Sequence, residues 1–120
     1  MPFRTNTIVH RNYTECTAKG KYEFKELFGF IDHVRSEAAR LDADRMLVDC
    51  SELDGHVAEV DRFEAGQRVA EVFGPSIKVA VVMAPGTVSK LGEIAAVNRG
   101  GRMLVTDDSS EAVKWLAADE

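Results

Sequence analysis

The sequence predicts an α/β protein: a mixed, mostly parallel sheet of four to five strands with four helices. Short apolar runs alternate along the chain with longer segments in which apolar residues recur every three or four positions. The chain also closes on a clear strand–helix unit, with an apolar run at residues 102–106 and an amphipathic segment at 112–116. Such an alternation requires crossover connections, so parallel strands with helices packed on the sheet are expected.

The first third of the chain indicates two strands and a long helix. β-branched and alternating residues predict strands at 7–11 and 13–18, which supply the antiparallel part of the sheet. In the second strand, Cys16 is expected to face inward and Thr17 outward. Apolar residues at helical spacing predict a helix over residues 22–41.

The middle of the chain begins with a continuous apolar run at residues 46–50. Such a run is typical of a strand that is covered on both faces. Residues 51–59 are predicted to be irregular. A helix is predicted over Glu59–Phe73, with Glu64 and Arg68 forming an ion pair on its outer side.

The last third carries the strongest strand pattern, at residues 77–83. A third helix is predicted over 88–98, with Thr87 as its N-cap. The final helix is predicted to begin with a capping box, in which Asp108 and Glu111 satisfy the first backbone N–H groups. Two glycines separate the third helix from the last strand.

Composition narrows the class of protein. The 120 residues predict one domain over 1–120, with 45% hydrophobic and 29% charged residues and a formal net charge of −5. Scattered cations in an acidic chain disfavour nucleic acid as a partner. No apolar run reaches the length of a membrane span, and the start lacks the apolar segment of a secretory signal. Cys16 and Cys50 fit neither a zinc site nor a C-x-x-C motif and are interpreted as reduced, packed thiols of a cytoplasmic protein.

Three segments carry a resemblance to a known family. Gly20 lies just before the first long helix, and MLVDCSEL at residues 46–53 has the form of a strand that ends in Asp, a small residue and an apolar one. The closing segments are RGGRMLVTD at 99–107 and EAVKWL at 111–116. In order and spacing the chain resembles STAS-type domains of the SpoIIAA-like group, which are relatives of bacterial anti-sigma-factor antagonists.

The resemblance implies a regulatory or ligand-binding module without catalytic activity. It places recognition in the loop over residues 53–60 and the helix that follows, so His56, Glu59 and Asp61 are the candidate partner-binding residues. The group's phosphorylatable serine is missing, because residues 53–61 contain no Ser or Thr. The phosphoserine switch is therefore not expected in this chain.

A small set of polar residues follows the central strand and could be chemically active. Ligands of open α/β sheets bind at the carboxyl ends of the strands. There Cys50 with His56 could form a nucleophile and base, and Ser51 could contact a ligand. The alternative is structural, with Cys50 in the core and His56 on a solvated loop, and no nucleophile signature surrounds the cysteine.

A second candidate ligand site opens the third helix. Thr87, Ser89 and Lys90 offer two hydroxyls and an ammonium near free helical N–H groups, which could hold an anion. The alternative is a helix cap with a surface lysine. The spacing does not fit a phosphate-binding loop of the Walker type.

These observations favour a non-catalytic module that binds a partner protein or a small apolar or anionic ligand. One alternative is a carrier of a lipid-like apolar molecule, as in lipid-carrying domains of comparable architecture, which requires an enclosed apolar cavity. A more remote alternative is a thiol-dependent enzyme. No cofactor, metal site or catalytic residue is predicted, and a homodimer is expected only on the ground that edge strands need covering.

Overall fold

The computed structural model describes residues 3–118, and these form one five-stranded sheet with four helices. The sheet order is β1-β2-β3-β4-β5; β1 is antiparallel to β2, and all other neighbouring pairs are parallel. The predicted fold class is therefore confirmed. The strands are β1 Arg4–Val9, β2 Thr14–Lys21, β3 Arg45–Asp54, β4 Lys78–Val82 and β5 Arg102–Thr106; the helices are α1 Phe24–Arg40, α2 Glu59–Phe73, α3 Leu91–Val97 and α4 Ser109–Ala117.

Helices cover both faces of the sheet. The larger core lies on the face of α1, α2 and α3, where Met46, Val48 and Cys50 of β3 pack with the buried faces of these helices. The smaller core lies on the other face, where Ala112 and Leu116 of α4 pack on β3 and β4. Alternate residues of β3 thus enter opposite cores, which explains its continuous apolar run.

Helices α2 and α3 touch backbone to backbone. A Cβ atom built on Gly66 of α2 would lie 2.1 Å from the carbonyl oxygen of Gly92 in α3. Only glycine permits this approach, because any side chain would enter the neighbouring helix. The contact fixes the start of α3 against α2, and with it the relative position of the loops that precede these helices.

The predicted boundaries are confirmed for α2 and β5, but β3 differs. It continues through Asp54, so the prediction of irregular structure for residues 51–54 is wrong. The pairing of β2 with β3 shifts register between Thr17 and Lys19. At this irregularity the carboxylate of Asp49 accepts hydrogen bonds from both the backbone N–H and the hydroxyl of Ser51. Thr17 lies on the side of β2 opposite to Cys16, as predicted, and its hydroxyl donates to the Glu15 carboxylate at 3.4 Å. The side chain is nevertheless buried on that face.

Two predicted side-chain roles are also wrong. The ion pair of Glu64 with Arg68 is replaced by contacts from the Arg68 guanidinium to Asp32 of α1 at 3.0 Å and to Glu71 at 2.9 Å. Helix α3 begins at Leu91, later than expected, so Thr87 is not its N-cap. The Thr87 hydroxyl instead donates to the carbonyl of Ala84 at 2.6 Å, inside the preceding turn.

The two ends of α4 are stabilised differently. At its start, Asp108 accepts from the N–H groups of Ser110 and Glu111, as the capping prediction required. Glu111 does not complete the box, because its carboxylate accepts from the hydroxyl of Thr106. At the other end, the buried Lys78 donates to the carbonyls of Trp115 and Ala118, so a cation meets the negative end of the helix dipole.

Helix α1 ends in a Schellman motif built on an aspartate. The N–H of Asp42 bonds to the carbonyl of Ala39, and the N–H of Ala43 bonds to that of Ala38. Asp42 has φ of 52°, the left-handed conformation that glycine usually supplies at this position. The chain can then turn directly into β3.

Candidate partner-binding site

The carboxyl ends of the parallel strands meet at one rim of the sheet, next to the start of α2. Residues 55–58 connect β3 to α2 and are held at both ends. Tyr22 donates its backbone N–H to the carbonyl of Asp54 at 2.8 Å, and Arg62 donates its Nε to the carbonyl of Val57 at 3.1 Å. The connection is thereby fixed to the segment between β2 and α1 on one side and to α2 on the other.

The three predicted partner-binding residues lie together at this rim but in different surroundings. His56 and Glu59 are exposed, whereas Asp61 is half-buried. Asp61 accepts a 2.7 Å hydrogen bond from the hydroxyl of Tyr22. Burial, and then the Asp61 carboxylate, raise the pKa of Tyr22 far above its ordinary value, so the hydroxyl stays protonated and donates.

Glu59 joins the two candidate sites that the sequence analysis kept separate. Its carboxylate accepts a 3.0 Å hydrogen bond from the Ser89 hydroxyl and lies 3.5 Å from the Arg62 guanidinium. A carboxylate within hydrogen-bond distance of Ser89 repels anions. The surroundings of Ser89 therefore favour cationic or neutral groups over the anion that the sequence analysis considered as one alternative.

The remaining predicted anion-site residues make internal contacts. The ammonium group of Lys90 donates to the carbonyl of Val105 in β5 and lies 3.1 Å from Glu93, whose carboxylate accepts from the Val105 N–H at 2.8 Å. Lys90 and Glu93 therefore satisfy the backbone C=O and N–H groups of Val105 on the outer edge of the sheet. The Ser51 hydroxyl donates to the Asp49 carboxylate, and the Thr87 hydroxyl donates to the Ala84 carbonyl. Both hydroxyls are therefore already used in local hydrogen bonds.

A small apolar cavity lies beneath the rim. Its volume is about 70 Å³, whereas pockets for drug-sized ligands take roughly 300–1,000 Å³. The volume therefore gives no support to a lipid carrier. The cavity is lined by residues from the sheet and from all three helices of this face, among them Leu27, Cys50, Ala65, Gly92 and Met103.

Cys50 is poorly suited to act as a nucleophile. Its thiol is buried in the larger core, and burial, reinforced by the nearby Asp49 carboxylate, raises its pKa to about 12. Since the thiolate is the reactive form, the thiol is protonated and inert at neutral pH. Cys16 is also a buried free thiol with a raised pKa, caused first by burial.

Residues 3–118 offer neither a metal site nor a membrane-spanning helix. Within that range, no cluster of three or more His, Cys, Asp or Glu side chains has the arrangement needed to hold a metal ion. Across the same residues, no helix combines the length and apolar character required to cross a membrane.

The sequence analysis missed three residues that organise this rim. Tyr22 was assigned only to the start of a helix, Arg62 received no individual role, and Val60 was included only as the last residue of the recognition loop over residues 53–60. The Tyr22–Asp61 hydrogen bond joins residues 39 positions apart in the chain, and no local pattern indicates such a pair. Val60 could have been noticed as an apolar residue between two acids at the start of a helix.

The sheet order, the single antiparallel strand and the distribution of helices define the SpoIIAA-like, or STAS-like, fold. Known structures agree with this assignment. An anti-sigma factor antagonist from Mycobacterium paratuberculosis superimposes with a TM-score of 0.65 at 12% identity, over 97% of this chain and 95% of that chain. No family model and no curated protein matches the sequence.

Two further solved structures share the fold. An uncharacterised protein with a SpoIIAA-like fold from Shewanella loihica has a TM-score of 0.57 and 20% identity, covering 97% of this chain and 94% of its own. A variant of RsbS from Moorella thermoacetica has a TM-score of 0.56 and 13% identity, covering 94% of both chains. At these identities the likeness establishes the fold, and the predicted STAS-like architecture is confirmed.

Proposed function

We propose that this protein is a non-catalytic regulatory module that acts by binding a partner protein, without a phosphoserine switch. One structural neighbour is an anti-sigma factor antagonist, a class that works through protein contacts, and this likeness supports the proposal. Residues 1–120 then act as a single domain. The two buried free thiols fit the reducing environment of the cytoplasm.

The observation that carries the proposal is an exposed apolar residue at the rim. Val60 is 59% exposed and lies directly between the acids Glu59 and Asp61 at the start of α2. Protein interfaces commonly combine an apolar centre with a polar rim. We define the carboxyl-end surface as His56, Glu59, Val60 and Ser89, and propose that it contacts the partner.

The carboxyl-end surface is held rigidly, which favours binding. Arg62 holds the connection before α2 in place, and Ser89, in the segment before α3, donates a hydrogen bond to Glu59 at the start of α2. A surface that is already ordered loses little conformational freedom on association, so more of the contact energy appears as affinity. The exposed carboxylate of Glu59 indicates that the complementary partner surface carries a cationic or hydrogen-bond-donating group.

The experiment uses matched substitutions at the two ends of the molecule. A partner is first identified by cross-linking in the source cells and then purified, and its affinity is measured by calorimetry. Glu59→Arg and Val60→Asp should each weaken binding by roughly tenfold or more, as expected for residues at the centre of an interface. Asp44→Arg and Val97→Asp are the matched controls, because they change exposed side chains outside the carboxyl-end surface.

The comparison can fail in a defined way. If all four variants bind the partner as tightly as the unaltered protein, the carboxyl-end surface is not the interface. If the two controls weaken binding while Glu59→Arg and Val60→Asp do not, the interface lies elsewhere. Asp61→Asn is avoided as a test, because it would also disturb the hydrogen bond to Tyr22. Glu59→Arg likewise removes the hydrogen bond from Ser89, so Val60→Asp is the more direct of the two tests.

A further inference from the structure

Strand β1 forms one edge of the sheet, and its residues favour pairing with a further strand. Its sequence, RTNTIV, is rich in β-branched residues, and its single charge, Arg4, lies at its start. Ile8 and Val9 are 43% and 64% exposed. Natural edge strands usually carry charges or prolines that discourage pairing, and the centre of β1 carries neither.

The hairpin geometry identifies the backbone groups of β1 that point away from β2. The turn is closed by a hydrogen bond from the N–H of His10 to the carbonyl of Tyr13 at 2.9 Å. In an antiparallel ladder the hydrogen-bonded pairs alternate, so the pairs Ile8–Glu15 and Asn6–Thr17 are bonded within the hairpin. The N–H and C=O groups of Thr5, Thr7 and Val9 are therefore directed outward.

The opposite edge of the sheet, strand β5, is blocked by side chains at Val105. On β5, the carboxylate of Glu93 accepts from the Val105 N–H at 2.8 Å, and the Lys90 ammonium donates to the Val105 carbonyl. These side chains occupy the place that a neighbouring strand would take. The sheet therefore has one edge that is protected from pairing and one edge that is rich in strand-forming residues.

We propose that β1 binds β1 of a second copy of this chain in an antiparallel arrangement. A two-fold axis at Thr7 pairs Thr7 with Thr7 of the second copy, and Thr5 with Val9 of the second copy in both directions. This register uses all three outward-directed residues, and each of the three pairs can exchange two backbone hydrogen bonds. The proposal concerns a surface distinct from the carboxyl-end surface and does not rest on the proposed function.

Symmetry explains why the assembly stops at two copies. The same strand is used by both partners, so the interface is self-complementary and closed. The outer edges of the resulting ten-stranded sheet are two copies of β5, each protected at Val105 by Lys90 and Glu93. An open fibre would need β5 to pair, and the side chains at that edge oppose it.

Charges beside β1 are also compatible with the two-fold axis. Glu37 of α1 accepts a hydrogen bond from the Thr7 hydroxyl at 2.9 Å and pairs with Arg40 at 2.6 Å. Arg40, and then Thr7, lower the pKa of Glu37 to about 2, so this carboxylate is ionised at neutral pH. In the proposed dimer, each copy brings the Glu37 carboxylate and the Arg40 guanidinium towards the two-fold axis. There a charge of one copy can lie next to the opposite charge of the other copy.

The first test is the mass in solution as a function of concentration, by analytical ultracentrifugation. The unaltered protein should shift from monomer to dimer as its concentration rises. Thr5→Pro removes an outward N–H group and should abolish the dimer while leaving the hairpin intact, since proline is tolerated on an edge strand whose N–H faces solvent. Thr5→Ala is the matched control, because it keeps that N–H and should still dimerise.

The second test reads the register and does not depend on the proline variant. Thr5→Cys and Val9→Cys proteins, mixed and mildly oxidised, should form a mixed disulfide, whereas Thr5→Cys alone should cross-link far less. A protein that is monomeric at all concentrations overturns the proposal. So does a dimer that survives in folded Thr5→Pro, or a disulfide yield that is equal in the mixture and in Thr5→Cys alone.

Discussion

The backbone contact between α2 and α3 predicts that Gly66→Ala destabilises the protein, although alanine is the better helix former. The added Cβ would lie 2.1 Å from the carbonyl oxygen and 2.8 Å from the carbonyl carbon of Gly92. Favourable contacts between carbon atoms need about 3.5 Å, so the two helices must separate by roughly 1 Å. Both obstructing atoms belong to the backbone, and no side chain can rotate away.

Two opposing effects set the magnitude. Replacing glycine by alanine within a helix gains about 1 kcal/mol. Overpacking a core typically costs about 1–3 kcal/mol, occasionally more, and a collision with a backbone carbonyl lies at or above the upper end. The expected net loss in the free energy of unfolding is therefore about 2 kcal/mol.

Gly29 of α1 provides the matched control. It is exposed, and among residues 3–118 no heavy atom outside its own helix lies within 4 Å of a Cβ built there. Gly29→Ala should therefore stabilise the protein by about 0.5–1 kcal/mol.

Urea unfolding measures both variants, with a similar dependence on denaturant expected for each. If Gly66→Ala unfolds at the same or a higher urea concentration than the unaltered protein, the tight helix contact is not present in solution. Because the Glu59–Ser89 hydrogen bond joins the start of α2 to the segment directly before α3, Gly66→Ala should also weaken partner binding at conditions where it is folded.

Three further predictions follow from individual residues. Asp42→Gly should raise the melting temperature, with a gain of about 0.5–1 kcal/mol, because Asp42 occupies the left-handed conformation at φ of 52°; a lower melting temperature would contradict this. Alkylation of Cys50 at neutral pH, followed by mass spectrometry, should be slower than that of a thiol of ordinary pKa by a factor of about 1,000 or more, because its pKa is raised to about 12; rapid labelling of the native protein would restore the thiol-enzyme alternative. The lowered pKa of Glu37 adds stability that is present above its ordinary pKa of 4.5 and is lost as the pH falls towards about 2; Glu37→Gln should flatten the loss of stability in this range in acid unfolding curves, and an unchanged pH dependence would show that the Thr7–Glu37–Arg40 contact is absent.

Much of the fold could be predicted because its elements have simple periodicity. The bounds of α2 and β5 were predicted correctly. Gly74 directly follows α2, Gly101 directly precedes β5, and the apolar spacing within both elements is regular. The buried run in β3 indicated a strand covered on both faces, and the two separate cores confirm it. The predicted N-cap Asp108 is confirmed as well, because its pattern is confined to one turn.

Other features could not be predicted, because they depend on contacts between distant parts of the chain. Residues 51–54 are mostly polar and resemble a loop, yet pairing with β2 keeps them extended. Helix α3 begins late because Thr87 turns back onto Ala84. The rim of the candidate site depends on the pairs Tyr22–Asp61 and Glu59–Ser89, whose members come from different elements.

The hydrogen bonds at the rim favour a protein over a small anion as the ligand. An anion bound by Ser89 would compete with the Glu59 carboxylate, to which the Ser89 hydroxyl already donates a hydrogen bond. An anion bound by Lys90 would draw the ammonium group away from the Val105 carbonyl in β5. Breaking such contacts leaves groups unsatisfied, which offsets the energy of the new bond. A partner protein requires neither change, because it can cover Val60 and His56 while the internal hydrogen bonds remain in place. Ser89 and Lys90 thus already make internal contacts, and under the proposed function the exposed side chains of Val60 and His56 contact the partner.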